Sequence, residues 1–342
     1  METIRVKFLA RINSREWLRQ LPDNSARWGN CEFIFDPQER HYDWLVVYDD
    51  LPPREDERFS LREENLACPQ QHTILVTTEP SSIKVYGNAY TAQFGSVLTS
   101  QEAWALKHPA RIYSQPALHW FYGVGKHHQI SYDTMLNTQA MQKTRTLSTV
   151  CSNKKQKHTL HNKRYYFVQE LQQRLQLDVF GHGVRDMDDK AEALDPYRYH
   201  IAIENHVGLH HWTEKLSDAF LGFTLPFYFG CPNAADYFPE QSFIPIDIND
   251  VDEACSIIST AIENDEYNKR LPFIIEARKR VLEQYNIFSV LHKTINQYQD
   301  SHNCTDRGNI IISRRAIRKK HTLAGINDLY QKARVRLLNK YR

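Results

Sequence analysis

The sequence predicts an α/β protein of two domains, the first of them doubly wound. Short apolar runs bounded by turn formers recur through both halves. Helical or loop stretches separate them, as parallel strands joined by crossovers require. A polar, basic stretch, GKHHQISYDTMLNTQAMQKTRTLSTVCSNKKQKHTLHNKR, interrupts the series and divides the chain. The expected domains are 1–145 and 146–305, with a basic amphipathic tail at 306–342.

In the first domain IRVKFLA (4–10) reads as a β-rich run and SREWLRQL as a helix. CEFIFD (31–36), DWLVVYDD (43–50), HTILVTTEP (72–80) and FGSVLTS (94–100) read as further buried strands. PPREDERFSLREENLACPQQ is polar loop or helix. In the second domain TLSTVCSNK (146–154), LDVFGHG (177–183), YHIAIEN (199–205), LPFYFG (225–230) and SFIPIDIND (242–250) read as strands. NKRYYFVQELQQRLQ (162–176), TEKLSDAFLG (213–222), the short PNAADYF (232–238) and the stretch from VDEACSIIST onward read as helices. In open parallel sheets ligands sit beyond the carboxyl ends of the strands. Glu79, the turn 181–183, Glu204-Asn205 and Gly230 all fall at such ends.

The 342 residues, 41% hydrophobic and 25% charged, suffice for two cores. The formal charge of +2 argues against a general nucleic-acid binder. Residues 314–342 hold ten Lys/Arg and one acid, Asp328, so the tail is about +9 and the remainder about −7. Six scattered cysteines without a CxxC pair read as reduced, mostly buried thiols of a cytosolic protein. The first residues, METIRVKFLARINSREWLRQ, show no apolar signal region, and no run has the ~18 apolar residues a membrane span needs.

The segment YRYHIAIENHVGLHHWTEKLSDAFLGFTLPFYFG (197–230) carries the chemistry. Thr213 is a helix N-cap followed at once by Glu214 and Lys215. A helix start offers free N–H groups, Lys215 adds a full charge, and Glu214 can accept from hydroxyls, a combination suited to a phosphorylated sugar or nucleotide. A plain capped helix with a solvated first turn is the alternative reading.

This segment resembles glycosyltransferase family 10, the α-1,3/4-fucosyltransferases. The likeness rests on Tyr197-Arg198-Tyr199 leading to Glu204-Asn205, seven residues, Thr213-Glu214-Lys215, then Pro226 and Gly230. LDVFGHG, the helix bearing Arg164 and the TTEP that carries Glu79 are similar to further family elements. The likeness is dense over about 146–250 and thin before it. It implies a GT-B fold, two Rossmann-like domains facing a central cleft, with the acceptor on the N-terminal side and the donor in the C-terminal domain. It further implies an inverting transfer of fucose from GDP-fucose. Arg164 and Lys215 would neutralise the diphosphate, and Glu214 would hold the ribose. Asn205 would touch phosphate or sugar, and Glu204, His211 and Thr213 would complete the donor site. Glu79 would be the general base, with Glu102 a weaker substitute. Fixed cations can stabilise the leaving group, so neither metal nor cofactor is expected. The family commonly has Asp-Tyr where this chain has His210-His211, so a different nucleotide sugar is the nearest alternative. A non-catalytic scaffold of glycan assembly is the second.

Other motifs carry less. Adjacent histidines rarely converge on one ion, so His206, His210 and His211 are not expected to bind metal. DMDD (186–189) reads as solvated loop, and GHG is too short for a dinucleotide fingerprint. The tail can lie on an anionic membrane or pack on the N-terminal domain. The expected partners are a GDP-sugar and an oligosaccharide or lipid-linked glycan of lipopolysaccharide or capsule type, with no nucleic acid. The expected location is the cytoplasm, peripheral at the inner face of the membrane.

Overall fold

The computed structural model describes residues 2–55, 57–115, 119–152, 160–298 and 310–341. The chain forms two α/β units. One takes residues up to 117 together with those from 286 onward, and the other takes 118–285.

The first unit begins with β1 (Ile4–Leu9), α1 (Ser14–Leu18), β2 (Arg27–Trp28), β3 (Cys31–Ile34), β4 (Trp44–Tyr48) and β5 (Glu63–Asn65). It continues through β6 (Thr73–Val76), α2 (Asn88–Thr91), β7 (Ser96–Thr99) and β8 (Arg111–Tyr113). Its sheet runs β2-β3-β1-β4-β6-β7-β8, parallel apart from the β2–β3 edge. A parallel sheet covered on both faces needs unbroken apolar runs, and Leu45–Val47 and Ile74–Val76 are shut off from solvent. Lys7, in the middle of β1, is also fully buried. Its ammonium donates to Glu64 at 2.6 Å and to the Glu39 carbonyl at 2.9 Å, which satisfies the charge inside the core. The chain adds β3 on one side of β1, then returns to add β4 on the other. That reversal opens a crevice beyond the ends of β1 and β4.

The second unit holds α3 (Tyr132–Asn137), β9 (Arg145–Val150), α4 (His161–Arg174), β10 (Asp178–Phe180), β11 (Tyr197–Ile203) and α5 (Glu214–Leu221). It ends with β12 (Leu225–Phe229), β13 (Ile244–Pro245), α6 (Val251–Glu263) and α7 (Glu266–Glu283). Its sheet, β10-β9-β11-β12-β13, is wholly parallel and repeats the winding, so its own crevice lies beyond β9 and β11.

The chain then returns to the first unit. Along α8 (Ile287–Tyr298), Ile287, Phe288, Leu291 and Ile295 enter the core formed by Ile4, Val6, Phe8 and Phe33. At ~1.5–3 kcal/mol per fully buried side chain, these four contribute on the order of 6–12 kcal/mol, an upper bound because an unfolded chain already hides some surface. Asn286 locks the junction by donating to the Gln20 carbonyl at 2.7 Å. Next, β14 (Ile310–Ile312) pairs antiparallel with β5, followed by α9 (Arg314–Lys320) and α10 (Thr322–Tyr341). Arg318 meets Asp328 at 2.7 Å, and Asp328 lies against Gly87, whose φ of +87° and missing Cβ let the chain pass.

The division therefore differs from the expected 1–145, 146–305 and 306–342. The segment 118–145 belongs to the second unit and 286–342 to the first. The expected boundary at 305–306 lies outside the described residues, as do residues 153–154 of the expected strand 146–154 and the thiol of Cys304. The tail expectation resolves toward packing on the first unit, where Ile311, Ile317 and Val335 are buried. Among the described residues no helix is long and apolar enough to cross a membrane.

Candidate functional site

Four of the seven expected donor residues, Arg164, Asn205, Glu214 and Lys215, converge at the crevice of the second unit. The ends of β9, β10 and β11 supply Ser152, Gly181 and Asn205, α4 supplies Arg164, and the first turn of α5 supplies Glu214 and Lys215. Together they line a pocket of ≈ 290 Å³.

The geometry begins with Glu204, the residue after β11. It is completely buried, and it accepts from the Thr213 amide at 2.7 Å and the Thr213 hydroxyl at 2.6 Å. Thr213 in turn caps α5, its hydroxyl accepting from the Lys215 amide. Glu204 and Thr213 therefore fix where the helix starts, beneath the pocket rather than on its wall. Gly230 makes this possible. A Cβ there, at φ +157°, would sit 2.3 Å from the Glu204 Cγ.

Lys215 completes a compact charge cluster. Its ammonium donates to Glu214 at 2.8 Å and Thr213 at 3.2 Å, and stands 3.6 Å from Glu204. Burial pushes the Glu214 carboxyl up, but Lys215 and Lys190 outweigh it and hold it at about 2. Burial likewise raises Glu204, with Lys215 pulling the other way. Lys215 itself is raised: burial disfavours its charge, and the two carboxylates more than compensate.

Arg164 is different. It is 7% exposed, its Nη1 donates to the Ile203 carbonyl over a long 3.4 Å, and its side chain also hydrogen-bonds to the Cys151 thiol. Its Nε is buried with no partner, and no described carboxylate pairs with it. A buried guanidinium with an unsatisfied nitrogen is chemically suited to an anion. The Asn205 Oδ1 is also buried and unsatisfied.

The remaining expectations separate. His211 is buried but does not line the pocket; its ring packs edge-to-face on His206 at 5.3 Å. Trp212, also buried, anchors the loop against Phe238 at 4.8 Å. Glu79 belongs to the first unit, just past the carboxyl end of β6 and half-buried. Its carbonyl accepts from Gln101 at 2.7 Å. Among the described residues no group of three or more His, Cys, Asp or Glu is placed to hold a metal.

Lys190, His200 and His161 also line the pocket and were not anticipated. Lys190 donates to Asp218 at 2.8 Å and to the Glu214 carbonyl at 3.1 Å, tying the helix start to the preceding turn. The reading of 186–189 as solvated loop fails at Asp189. It is buried and caps that turn in a capping box with Glu192, while Asp186 and Asp188 are exposed. The spacing D-x-x-E at 189–192 was the available signal. In β11, His200 shares a hydrogen bond of 2.8 Å with Ser148, whose hydroxyl donates to the Ala193 carbonyl. One hydroxyl has one proton, so His200 donates through Nδ1 and leaves Nε2 as acceptor. Burial lowers its pKa to about 3.

Part of this chain is similar in sequence to known proteins. Residues 140–270 match the family model described as glycosyltransferase family 10 (fucosyltransferase), C-terminal. The α-(1,3)-fucosyltransferase FucT of Helicobacter pylori is 34% identical over 82 residues, which is 24% of this chain and 16% of that protein. Among solved structures, an α1,3-fucosyltransferase with GDP aligns at TM-score 0.47 and 16% identity, over 84% of this chain and 92% of that one. The DNA-modifying β-glucosyltransferase aligns at TM-score 0.49 and 8% identity, over 85% and 99%.

Proposed function

We propose that this chain, whose residues 140–270 match the glycosyltransferase family 10 model, transfers fucose from GDP-fucose to a hydroxyl of a surface-glycan precursor, with inversion and without a metal. The observation that carries the reading is Arg164, a buried guanidinium with an unpartnered nitrogen on the wall of a pocket whose other cations are already matched. Lys190 is balanced by Asp218 and Lys215 by Glu214 and Glu204. A diphosphate would satisfy Arg164 first. A ribose taking hydrogen bonds to Glu214 would release Lys215 toward a phosphoryl oxygen.

In the reaction the acceptor oxygen attacks C1 of the sugar from the face opposite the nucleotide. The bond from C1 to the phosphate oxygen breaks, GDP leaves with the electron pair, and Arg164 and Lys215 hold its growing charge. Glu79 takes the proton from the acceptor hydroxyl. Docking at an anionic membrane accords with α10, which presents Leu323, Ile326, Tyr330 and Leu337 to solvent among basic residues.

The test is a melting series without divalent metal, followed by a screen of nucleotide-sugar hydrolysis. GDP should raise the melting temperature, and GDP-fucose should be the sugar nucleotide hydrolysed. A response to UDP or CMP alone would refute the donor assignment. Glu79→Gln should abolish transfer with GDP affinity kept; unchanged turnover would remove Glu79 from the base role.

A further inference from the structure

The first unit has its own pocket, of ≈ 540 Å³, at its own crevice. Arg11 reaches it from beyond β1, Asp49 and Asp50 from the end of β4, and Lys84 from the loop after β6. The returning chain closes it with α9, which adds Arg314, Arg315, Arg318 and Lys319. This is the switch point of the sheet, where a doubly wound fold binds its ligand.

The charge of this pocket is unbalanced. Its wall carries six cations and two carboxylates, leaving four positive charges, or three once Asp328 is set against Arg318. Both carboxylates are engaged. Asp49 accepts from Lys84, from the Tyr86 hydroxyl at 2.7 Å and from the Thr78 hydroxyl at 3.0 Å. Asp50 accepts from the amides of Leu51 at 2.9 Å and Arg314 at 3.3 Å. Arg314 is held by the Val85 and Tyr86 carbonyls, and Arg315 stacks over Phe59 with its guanidinium carbon 4.1 Å from the ring centre. The Nη2 of Arg318 is buried without a partner. The side chains of Arg11 and Lys319 make no hydrogen bond or ion pair with other described residues. Several like charges gathered in a concave wall focus a field that a multiply charged anion would relieve.

We propose that this pocket is a second anion site, binding a phosphoryl or pyrophosphoryl group carried by the acceptor. The assignment to the acceptor rests on the transfer reading above and narrows it to phosphorylated or lipid-pyrophosphate-linked glycans. The loop after β6 supplies the link. It carries Glu79 at one end and Lys84 at the other, and Gln101 clamps both by donating to their carbonyls at 2.7 and 2.9 Å. An anion seated at Lys84 is thereby held in fixed register with the candidate base.

The test is calorimetric titration of inorganic pyrophosphate into the full chain at low salt, where such binding is strongest. Wild type should show two binding events. Arg11→Gln/Arg315→Gln/Lys319→Gln, three changes at exposed positions, should weaken one of them ~10-fold or more, and Arg164→Met should weaken the other. Unchanged pyrophosphate binding in the triple variant would overturn the proposal. An unchanged titration with Arg164→Met would instead refute the donor reading and leave this pocket standing. Vesicles of phosphatidylcholine and phosphatidic acid separate the sources. Capture lost in the triple variant assigns a lipid-borne group; absence of capture with pyrophosphate binding retained assigns a phosphorylated glycan.

Discussion

Replacing Arg164 with Met separates a ligand-binding cation from a structural one by sign. A buried charge without a counter-charge is a cost to the empty protein, and an apolar isostere of similar length removes that cost. Arg164 has only uncharged partners to lose, the Ile203 carbonyl at 3.4 Å and the Cys151 thiol. The unliganded variant should therefore melt at or above the wild-type temperature. Binding should move the other way. A guanidinium meeting a diphosphate makes charge-assisted, often bidentate hydrogen bonds, and losing a buried one costs about 2–5 kcal/mol. GDP affinity should fall by roughly 10²–10³-fold, since each 1.4 kcal/mol is tenfold. Differential scanning fluorimetry with and without GDP, and calorimetry of GDP binding, read both quantities on one preparation. A variant that melts several degrees lower while binding GDP within threefold of wild type would refute the reasoning, because Arg164 would then be a structural residue.

Lys215→Met should behave in the opposite sense: it strands the fully buried Glu204, so the unliganded protein should lose on the order of 3 kcal/mol by urea denaturation, and Glu204→Gln added to it should restore part of that loss. His200 makes stability depend on pH. It stays neutral in the folded unit down to about 3, whereas the unfolded chain protonates it near 6.5, so its stabilising effect is full above pH 6.5 and lost as pH falls toward 3. Between pH 6.5 and 5 this amounts to about 2 kcal/mol, and His200→Asn should flatten that part of the urea midpoint profile; an unaltered profile would contradict the assignment. Ending the chain at residue 285 should leave the first unit unable to fold, because Ile287, Phe288, Leu291 and Ile295 are part of its core; two cooperative transitions surviving in the truncated protein would contradict this.

The strands were legible because parallel strands buried on both faces must be apolar runs, and Leu45–Val47, Ile74–Val76 and Ile201–Ile203 can be little else. The polar strand β5, Glu-Glu-Asn, left no such trace; it exists because β14 pairs with it from far along the chain. The candidate site from Glu204 to Gly230 was legible from its resemblance to a family motif and from the capped start of α5. Thr213 announces itself as a helix cap, whereas the demand on Gly230 comes from Glu204, distant in sequence. Lys190 escaped notice because its role depends on Asp218, 28 residues away.

Sequence alone determined what is periodic or short in range: the α/β class and the capped start of α5, while the pairing of Glu204 with Thr213 emerged only in the fold. The tertiary structure decided what depends on the chain's return. It put α8 to α10 on the first unit instead of leaving a separate tail, because burying four apolar side chains stabilises more than solvating them. It left Arg164 without a counter-charge among the described residues and set α9 over the crevice of the first sheet. No pattern along the chain encodes these outcomes, since each depends on which residues distant in sequence come to share one volume.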